Sequence, residues 1–159
     1  MERPSYFIDF EASGIAPSSY PISVAIVSCD TEFTALIRPA PYWDHWSYDA
    51  QDMHGLTREN LLKLGVAPQV LACELNQSYR GQALCSDSPQ DVFWLETLYE
   101  AAGLEPSFQL RPLESFFGRA AAGEIYRLLP ARRKHDALSD AKELLLATTA
   151  FLERNHVDH

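Results

Sequence analysis

Two carboxylates, Asp9 and Glu11, stand within the run Phe-Ile-Asp-Phe-Glu-Ala-Ser-Gly that begins at Phe7. If this run is a strand, both carboxylates project from one face, while Ile8 and Phe10 enter a core on the other. Two carboxylates about 7 Å apart along one strand repel each other unless a cation neutralises them. The pair therefore indicates either a cation site or a solvated strand face, and an isolated Asp-x-Glu is more often solvated.

A second group of carboxylates, Asp87 and Asp91, follows a short apolar run. If Ser88 caps the next helix and Pro89 takes its first position, Asp91 is simply part of a capping box. Asp91 also falls on the same helical face as the apolar residues that begin with Trp94, which places it beside side chains that seek the core. Asp87, at the end of the preceding strand, is the alternative and fits either a ligand or a turn former.

A third group, His135 and Asp140, lies at the start of a helix with an apolar stripe. Asp140 falls about 40° from Leu144 on the margin of that stripe, so its carboxylate faces a crevice rather than bulk water. A helix continued back to His135 would turn that residue about 140° away from Asp140. If both residues serve one site, His135 must therefore lie in a loop before the helix. The alternative is that His135 is a solvated loop histidine and Asp140 lies on the ordinary flank of an amphipathic helix.

The elements that must position these side chains follow from the spacing of apolar residues. Strands are predicted at 5–11, 22–28 and 32–38, and the short turn at 29–31 favours an antiparallel meander. The stretch 39–52 lacks periodicity and is predicted to be an irregular loop. Helices are predicted at 57–65, 68–79, 89–102 and 137–154, with strands at 82–86 and 108–110. The pattern predicts one α/β domain over 1–159, with a mixed central sheet flanked by helices.

Composition narrows the class of protein. The chain has 159 residues and a formal net charge of −9, which argues against coating of duplex nucleic acid by lysine and arginine contacts to phosphate. The three cysteines, Cys29, Cys73 and Cys85, lack the pairing of a zinc site and are predicted to be free buried thiols in a reducing compartment. No apolar stretch approaches the roughly 20 residues that span a bilayer, so we expect a cytoplasmic protein without membrane insertion.

In order, the three groups resemble the motifs of the DEDDh family of 3′→5′ exonucleases. This family includes ribonuclease T, oligoribonuclease and the proofreading subunits of bacterial replicative polymerases. The similarity runs from Phe7 to about Leu152, and its most specific part is the His-x-Ala-x-x-Asp-Ala that begins at His135. The chain departs from the family pattern at two positions. It has Ser13 where the family commonly has Thr, and it has Gln90 where the family commonly has an aromatic residue before the second-motif aspartate.

The resemblance implies a ribonuclease H-like fold and two divalent cations, Mg²⁺ or Mn²⁺, which clamp the scissile phosphate. It implies hydrolysis of the terminal phosphodiester of single-stranded or short nucleic acid at its 3′ end, with nucleoside 5′-monophosphates as products. By matching positions, His135 is the implied general base, and the implied metal ligands are Asp9, Glu11, Asp91 and Asp140. Further predicted substrate contacts are Phe10, Ser13, Gly14, His54 and Arg133.

Other side chains near the motifs have two interpretations each. A basic run formed by Arg127, Arg132, Arg133 and Lys134 either guides the substrate backbone or is a solvated loop. The aromatic residues Trp43, Trp46 and Tyr48 either stack on bases or close a core, and the core is favoured for at least one tryptophan. The segment that begins at His54 also resembles a family segment, but a turn with Thr57 as helix cap explains it equally well.

Two alternative functions remain open at this level. One is a catalytically silent ribonuclease H-like module that binds another protein, although the presence of all five expected side chains argues against it. The other is a nuclease dedicated to very short oligoribonucleotides, which an acidic surface would suit. The 3′ ends of both RNA and DNA are expected substrates, and a homodimer is one expected assembly because several relatives are dimers.

Overall fold

The computed structural model describes residues 2–131 and 135–156, which form five strands and seven helices. The strands are β1 (Tyr6–Ala12), β2 (Pro21–Val27), β3 (Glu32–Leu36), β4 (Ala83–Ser86) and β5 (Gln109–Pro112). The helices are α1 (Tyr48–His54), α2 (Arg58–Leu64), α3 (Pro68–Tyr79), α4 (Gln90–Ala102), α5 (Leu113–Phe117), α6 (Arg119–Leu128) and α7 (Ala137–His156). All five strands belong to one sheet in the order β3-β2-β1-β4-β5.

The first three strands form the predicted antiparallel meander. In the β1–β2 pair Asp9 lies opposite Ala25 and Glu11 lies opposite Ser23, and β2 pairs antiparallel with β3. The tight turn between β2 and β3 is closed where the Ser28 amide donates to the Thr31 carbonyl at 2.9 Å. The predicted hairpin is therefore confirmed, and β1 is left in the middle of the sheet.

Two further strands extend the sheet in parallel on the other side of β1. β4 pairs with β1 and β5 pairs with β4, both in parallel. Such pairing requires a crossover connection, which α4 supplies between β4 and β5. The predicted mixed sheet is confirmed, although the last strand, expected at 108–110, is Gln109–Pro112.

Apolar side chains pack on both faces of the sheet, and alternation along β1 decides which side chains face which layer. Ile8 and Phe10 join the cluster formed with α2, α3 and α4, whereas Phe7 joins the cluster formed with α5, α6 and α7. Because side chains two apart share a face, Asp9 and Glu11 lie on the same side as Phe7. The two carboxylates therefore face the layer that contains α7.

The prediction of an irregular loop over 39–52 was wrong at its end, where α1 forms. The Ser47 hydroxyl accepts a hydrogen bond from the Ala50 amide at 3.2 Å, and Gly55 ends the helix in the left-handed region at φ 74°. No residue of α1 is buried. An exposed helix of two turns carries no apolar stripe, so periodicity could not reveal it and only its capping residues could.

The cysteine prediction was also partly wrong. All three thiols are free, but only Cys85 is buried, in β4, while Cys29 and Cys73 are exposed. Cys29 lies in the β2–β3 turn and Cys73 lies on α3. Among the described residues no helix combines the length and the apolar character needed to cross a lipid bilayer.

Candidate metal centre

Five carboxylates converge at the carboxyl end of β1. One carboxylate oxygen from each of Asp9, Glu11 and Asp140 lies within 4.8 Å of the other two. The same holds for Asp9, Asp87 and Asp91. Asp9 belongs to both groups, so the centre consists of two overlapping carboxylate triads, contributed by β1, the β4–α4 connection, the first turn of α4 and the first turn of α7.

The start of α7 places Asp140 in this centre. The Asp136 carboxylate accepts hydrogen bonds from the Ser139 amide at 3.0 Å and from the Ser139 hydroxyl at 2.8 Å, which is the usual role of an aspartate before the first turn of a helix. Asp140 follows in that first turn and is buried on the same face as Leu144. Because α7 packs on β1 and β2, its first turn faces Asp9 and Glu11.

The connection between β4 and α4 places Asp91. The buried hydroxyl of Ser86, the last residue of β4, donates to Asp91 Oδ2 at 2.5 Å and accepts from the Ser88 amide at 3.1 Å. Asp91 is only 2% exposed and shares its helix face with buried Trp94. The Ser88 hydroxyl accepts from the Gln90 amide at 3.3 Å and Pro89 has helical backbone angles, so Ser88 caps the helix as the capping interpretation requires. The Ser88 amide, however, donates to the Ser86 hydroxyl, and Asp91 accepts from that same hydroxyl, so Asp91 does not serve as the acidic partner of a capping box.

Mutual repulsion in the centre is expressed in two raised pKa values. Burial, followed by the charges of Asp91 and Glu11, raises the pKa of Asp9 well above its ordinary value. Burial, followed by the charge of Asp140 and a hydrogen bond with it, raises the pKa of Glu11 to about 8. Asp9 Oδ2 is buried, and within the described residues it has no hydrogen-bond partner. The carboxylates therefore fit a centre that a cation would neutralise.

These pKa values predict how the stability of the metal-free protein depends on pH. The pKa of Glu11 rises from 4.5 to about 8, so between these values the folded chain holds more protons than the unfolded chain. The free energy of unfolding must then fall as pH rises through this window. We expect the melting temperature in chelator to fall between about pH 5 and pH 8, and saturating Mn²⁺ to stabilise the protein more at pH 8.

Thermal unfolding by circular dichroism, at several pH values with EDTA or Mn²⁺, measures this effect. Glu11→Gln is the matched control, because it removes the titrating group and should flatten part of the dependence. A wild-type melting temperature that rises steadily from pH 5 to pH 8 in EDTA would contradict the raised pKa of Glu11 in the folded protein.

His135 lies in the loop ahead of α7, as predicted for a histidine that shares a site with Asp140. Its backbone is in the left-handed region, with φ 54°, which is uncommon for a residue other than glycine. His135, Glu11 and His54 together line two cavities of about 320 Å³ and about 310 Å³. His135 therefore borders the same open space as Glu11, one carboxylate of the centre.

The predicted contact residues are only partly on the surface of these cavities. Phe10 and Gly14 line the second cavity, and His54 lines both. Ser13 is fully buried, and its hydroxyl accepts from the Tyr20 amide at 3.1 Å. Arg133 lies outside the described residues, as do Arg132 and Lys134 of the basic run, whereas Arg127 is exposed in the last turn of α6.

The tryptophans occupy different environments. Trp43 is buried and stacks on Tyr20 with ring centroids 5.1 Å apart, which confirms the core interpretation for one tryptophan. Trp46 is half-buried and donates from its indole nitrogen to Gln51 at 2.9 Å. Tyr48 is exposed at the start of α1.

Several residues of the site were not singled out in the sequence. Ile15 and Met53 line the second cavity, and both are largely exposed apolar side chains. Met53 belongs to α1, the helix that periodicity did not reveal, so its place in the cavity lining could not be predicted from the sequence. For Ile15, its place directly after the Asp-x-Glu-Ala-Ser-Gly run was the available indication.

Comparisons with known proteins add evidence on the fold. No protein-family model matches the sequence, and no curated protein is significantly similar to it. A solved exonuclease I has a TM-score of 0.71 and 15% identity over 94% of this chain and 40% of that chain. For E. coli exonuclease I in complex with a dT13 oligonucleotide the TM-score is 0.70 and the identity is 13%, over 96% of this chain and 42% of that chain. For exonuclease I from Methylocaldum szegediense the TM-score is 0.64 and the identity is 14%, over 94% of this chain and 40% of that chain.

The chain spans about two fifths of the length of these exonuclease I structures. The aligned part includes nearly all of this chain, and therefore the sheet and the helices that carry the carboxylates. At this level of identity the comparison concerns the fold. The protein has a ribonuclease H-like α/β fold, shared with a part of exonuclease I.

Proposed function

We propose that this protein is a metal-dependent 3′→5′ exonuclease of the DEDDh type, which hydrolyses the terminal phosphodiester of a single-stranded nucleic acid. The observation that carries the proposal is the convergence of five carboxylates in two triads that share Asp9, one of which, through Glu11, borders a cavity that His135 also lines. A solvated strand face does not explain this arrangement, because Asp9, Asp91 and Asp140 are buried.

The residues of the centre suit two divalent cations. Asp9, Glu11 and Asp140 would hold one, and Asp9 with Asp91 would hold the other. Hard cations such as Mg²⁺ and Mn²⁺ prefer carboxylate oxygens, and the buried Oδ2 of Asp9 offers an acceptor that the described protein groups leave unused. When bound, such cations supply Lewis-acid polarisation of the phosphate and charge neutralisation.

His135 would act as the general base on the attacking water. It lies in the loop that borders both cavities and shares them with Glu11, which supports a role for its ring in activating a water molecule in that space. Phe10, Gly14 and His54 would contact the terminal nucleotide, and Arg133 remains a predicted contact to the substrate backbone.

The similar structures support single-stranded nucleic acid as the substrate class. E. coli exonuclease I is described in complexes with dT13 and dA16 oligonucleotides, and its zinc-bound form is described as a complex with single-stranded DNA. A net charge of −9 favours a substrate held at its end over a coated duplex. The chain corresponds to two fifths of those proteins, and all five carboxylates of the centre belong to it, so we propose that these 159 residues form one domain sufficient for hydrolysis.

Side-by-side incubation of the purified chain with labelled single-stranded DNA, single-stranded RNA, dinucleotides and duplex DNA tests this function. We expect hydrolysis of single strands with Mn²⁺, none in EDTA, and recovery when Mn²⁺ is restored. The Asp140→Asn variant, purified identically, controls for contaminating nucleases. Absence of any hydrolysis by the wild type in Mn²⁺, or equal hydrolysis in EDTA, would contradict the proposal.

A further inference from the structure

Asp87 lies in the acidic centre, although the four-carboxylate motif does not include it. It follows the last residue of β4, is half-buried, and places a carboxylate oxygen within 4.8 Å of oxygens from both Asp9 and Asp91. The preceding residue is Ser86, whose hydroxyl holds Asp91 at 2.5 Å. One short connection therefore presents two carboxylates to Asp9, and both are close enough to bind a single ion.

Asp9, which Asp87 approaches, provides a second and independent indication that the centre takes a ligand. Its side chain is 9% exposed, and its buried Oδ2 atom has no hydrogen-bond partner within the described residues. A buried charged acceptor without a partner carries a large desolvation cost, which a bound cation would offset. The charge of Asp87 is among those that raise the pKa of Asp9, so the two carboxylates act on each other.

We propose that Asp87 is a fifth carboxylate ligand of the centre and gives the second divalent cation a complete site of its own, formed by Asp9, Asp87 and Asp91. This inference rests on the proposed nuclease function. Its consequence is that both cations bind before nucleic acid arrives.

The number of charged ligands decides whether the second cation binds before nucleic acid arrives. With Asp91 and a shared Asp9 alone, the second cation would depend on a substrate phosphate for further negative charge. With Asp87, five carboxylates in two triads would hold the two dications, and each triad would supply the ligands of one of them. Affinity of oxygen sites for hard divalent cations rises with ligand charge and with site rigidity, and the Ser86 hydrogen bond to Asp91 contributes that rigidity.

Calorimetric titration of the metal-free full chain with Mn²⁺, without nucleic acid, tests the inference. The wild type is expected to bind two Mn²⁺ ions. Asp87→Asn is expected to keep one of them at wild-type affinity and to weaken the other by about tenfold or more, because a charged ligand is lost. Asp30→Asn is the matched control, because Asp30 lies in the β2–β3 turn, at the opposite end of β1 from Glu11.

Thermal unfolding in EDTA separates a ligand from a turn former. As a ligand, Asp87 adds repulsion to the metal-free centre, so Asp87→Asn should melt at the wild-type temperature or above it, with less stabilisation by Mn²⁺. Two Mn²⁺ ions bound by Asp87→Asn at wild-type affinity would overturn the inference, as would a single ion bound by the wild type. An active wild type with either result leaves the nuclease function standing, whereas a wild type that binds no Mn²⁺ overturns both.

Discussion

Asp9→Asn is expected to lower the rate of hydrolysis by about 10³-fold or more while the fold is retained. Bound cations contribute several kcal/mol to transition-state stabilisation in such sites, and each ~1.4 kcal/mol corresponds to about tenfold in rate. Asp9 belongs to both carboxylate triads, so its loss weakens both cation sites at once. Initial rates on labelled single-stranded DNA in saturating Mn²⁺ measure the effect.

The same substitution should raise the melting temperature of the metal-free protein. Asp9 is buried among carboxylates that raise its pKa, and an uncharged amide of equal size removes that repulsion. Asp30→Asn, in the distant β2–β3 turn, should change neither the rate nor the melting temperature. Near-normal activity of a folded Asp9→Asn protein would rule out the proposed centre.

His135→Ala is expected to lower kcat by about 10²–10⁴-fold, the usual range for the loss of a general base. Mn²⁺ affinity should stay at the wild-type value, because neither carboxylate triad includes His135. The combination is informative, since a ligand and a base predict opposite results in a metal titration. Steady-state kinetics on single-stranded DNA and calorimetric titration with Mn²⁺ provide the two measurements.

His156→Ala is a suitable control for His135→Ala, because His156 is an exposed histidine at the far end of α7. It should leave kcat unchanged. Loss of Mn²⁺ binding in His135→Ala would instead make His135 a ligand, and full activity at neutral pH would return it to the role of a loop residue.

The sequence predicted the parts of the site that depend on local periodicity. Alternation along β1 placed Asp9 and Glu11 on one face and Ile8 on the other, and the sheet confirms this separation. The helical stripe of α7 placed Asp140 on the margin of an apolar face, where the structure finds it buried. These inferences succeed because the direction of a side chain is fixed by the element that carries it.

Other features depend on contacts between distant segments, which periodicity does not contain. The spacing of Asp87 and Asp91 could not show that both reach Asp9, because this depends on the parallel pairing of β4 with β1 and on the hydrogen bond from Ser86. In the same way α1, and with it Met53, was not predicted because an exposed short helix has no apolar stripe. The exposure of Cys29 and Cys73 was not predicted either, because their burial was inferred from residue type alone and exposure depends on the folded contacts.

A time course with a single-stranded DNA labelled at its 5′ end tests the central claim most directly. In Mn²⁺ we expect a ladder of labelled products that shorten from the 3′ end by single nucleotides, with the labelled terminal fragment appearing last. Identically purified Asp9→Asn should leave the strand intact. Early release of a labelled 5′ mononucleotide, labelled fragments from internal cleavage, or an intact strand in the wild-type reaction would contradict a 3′→5′ exonuclease.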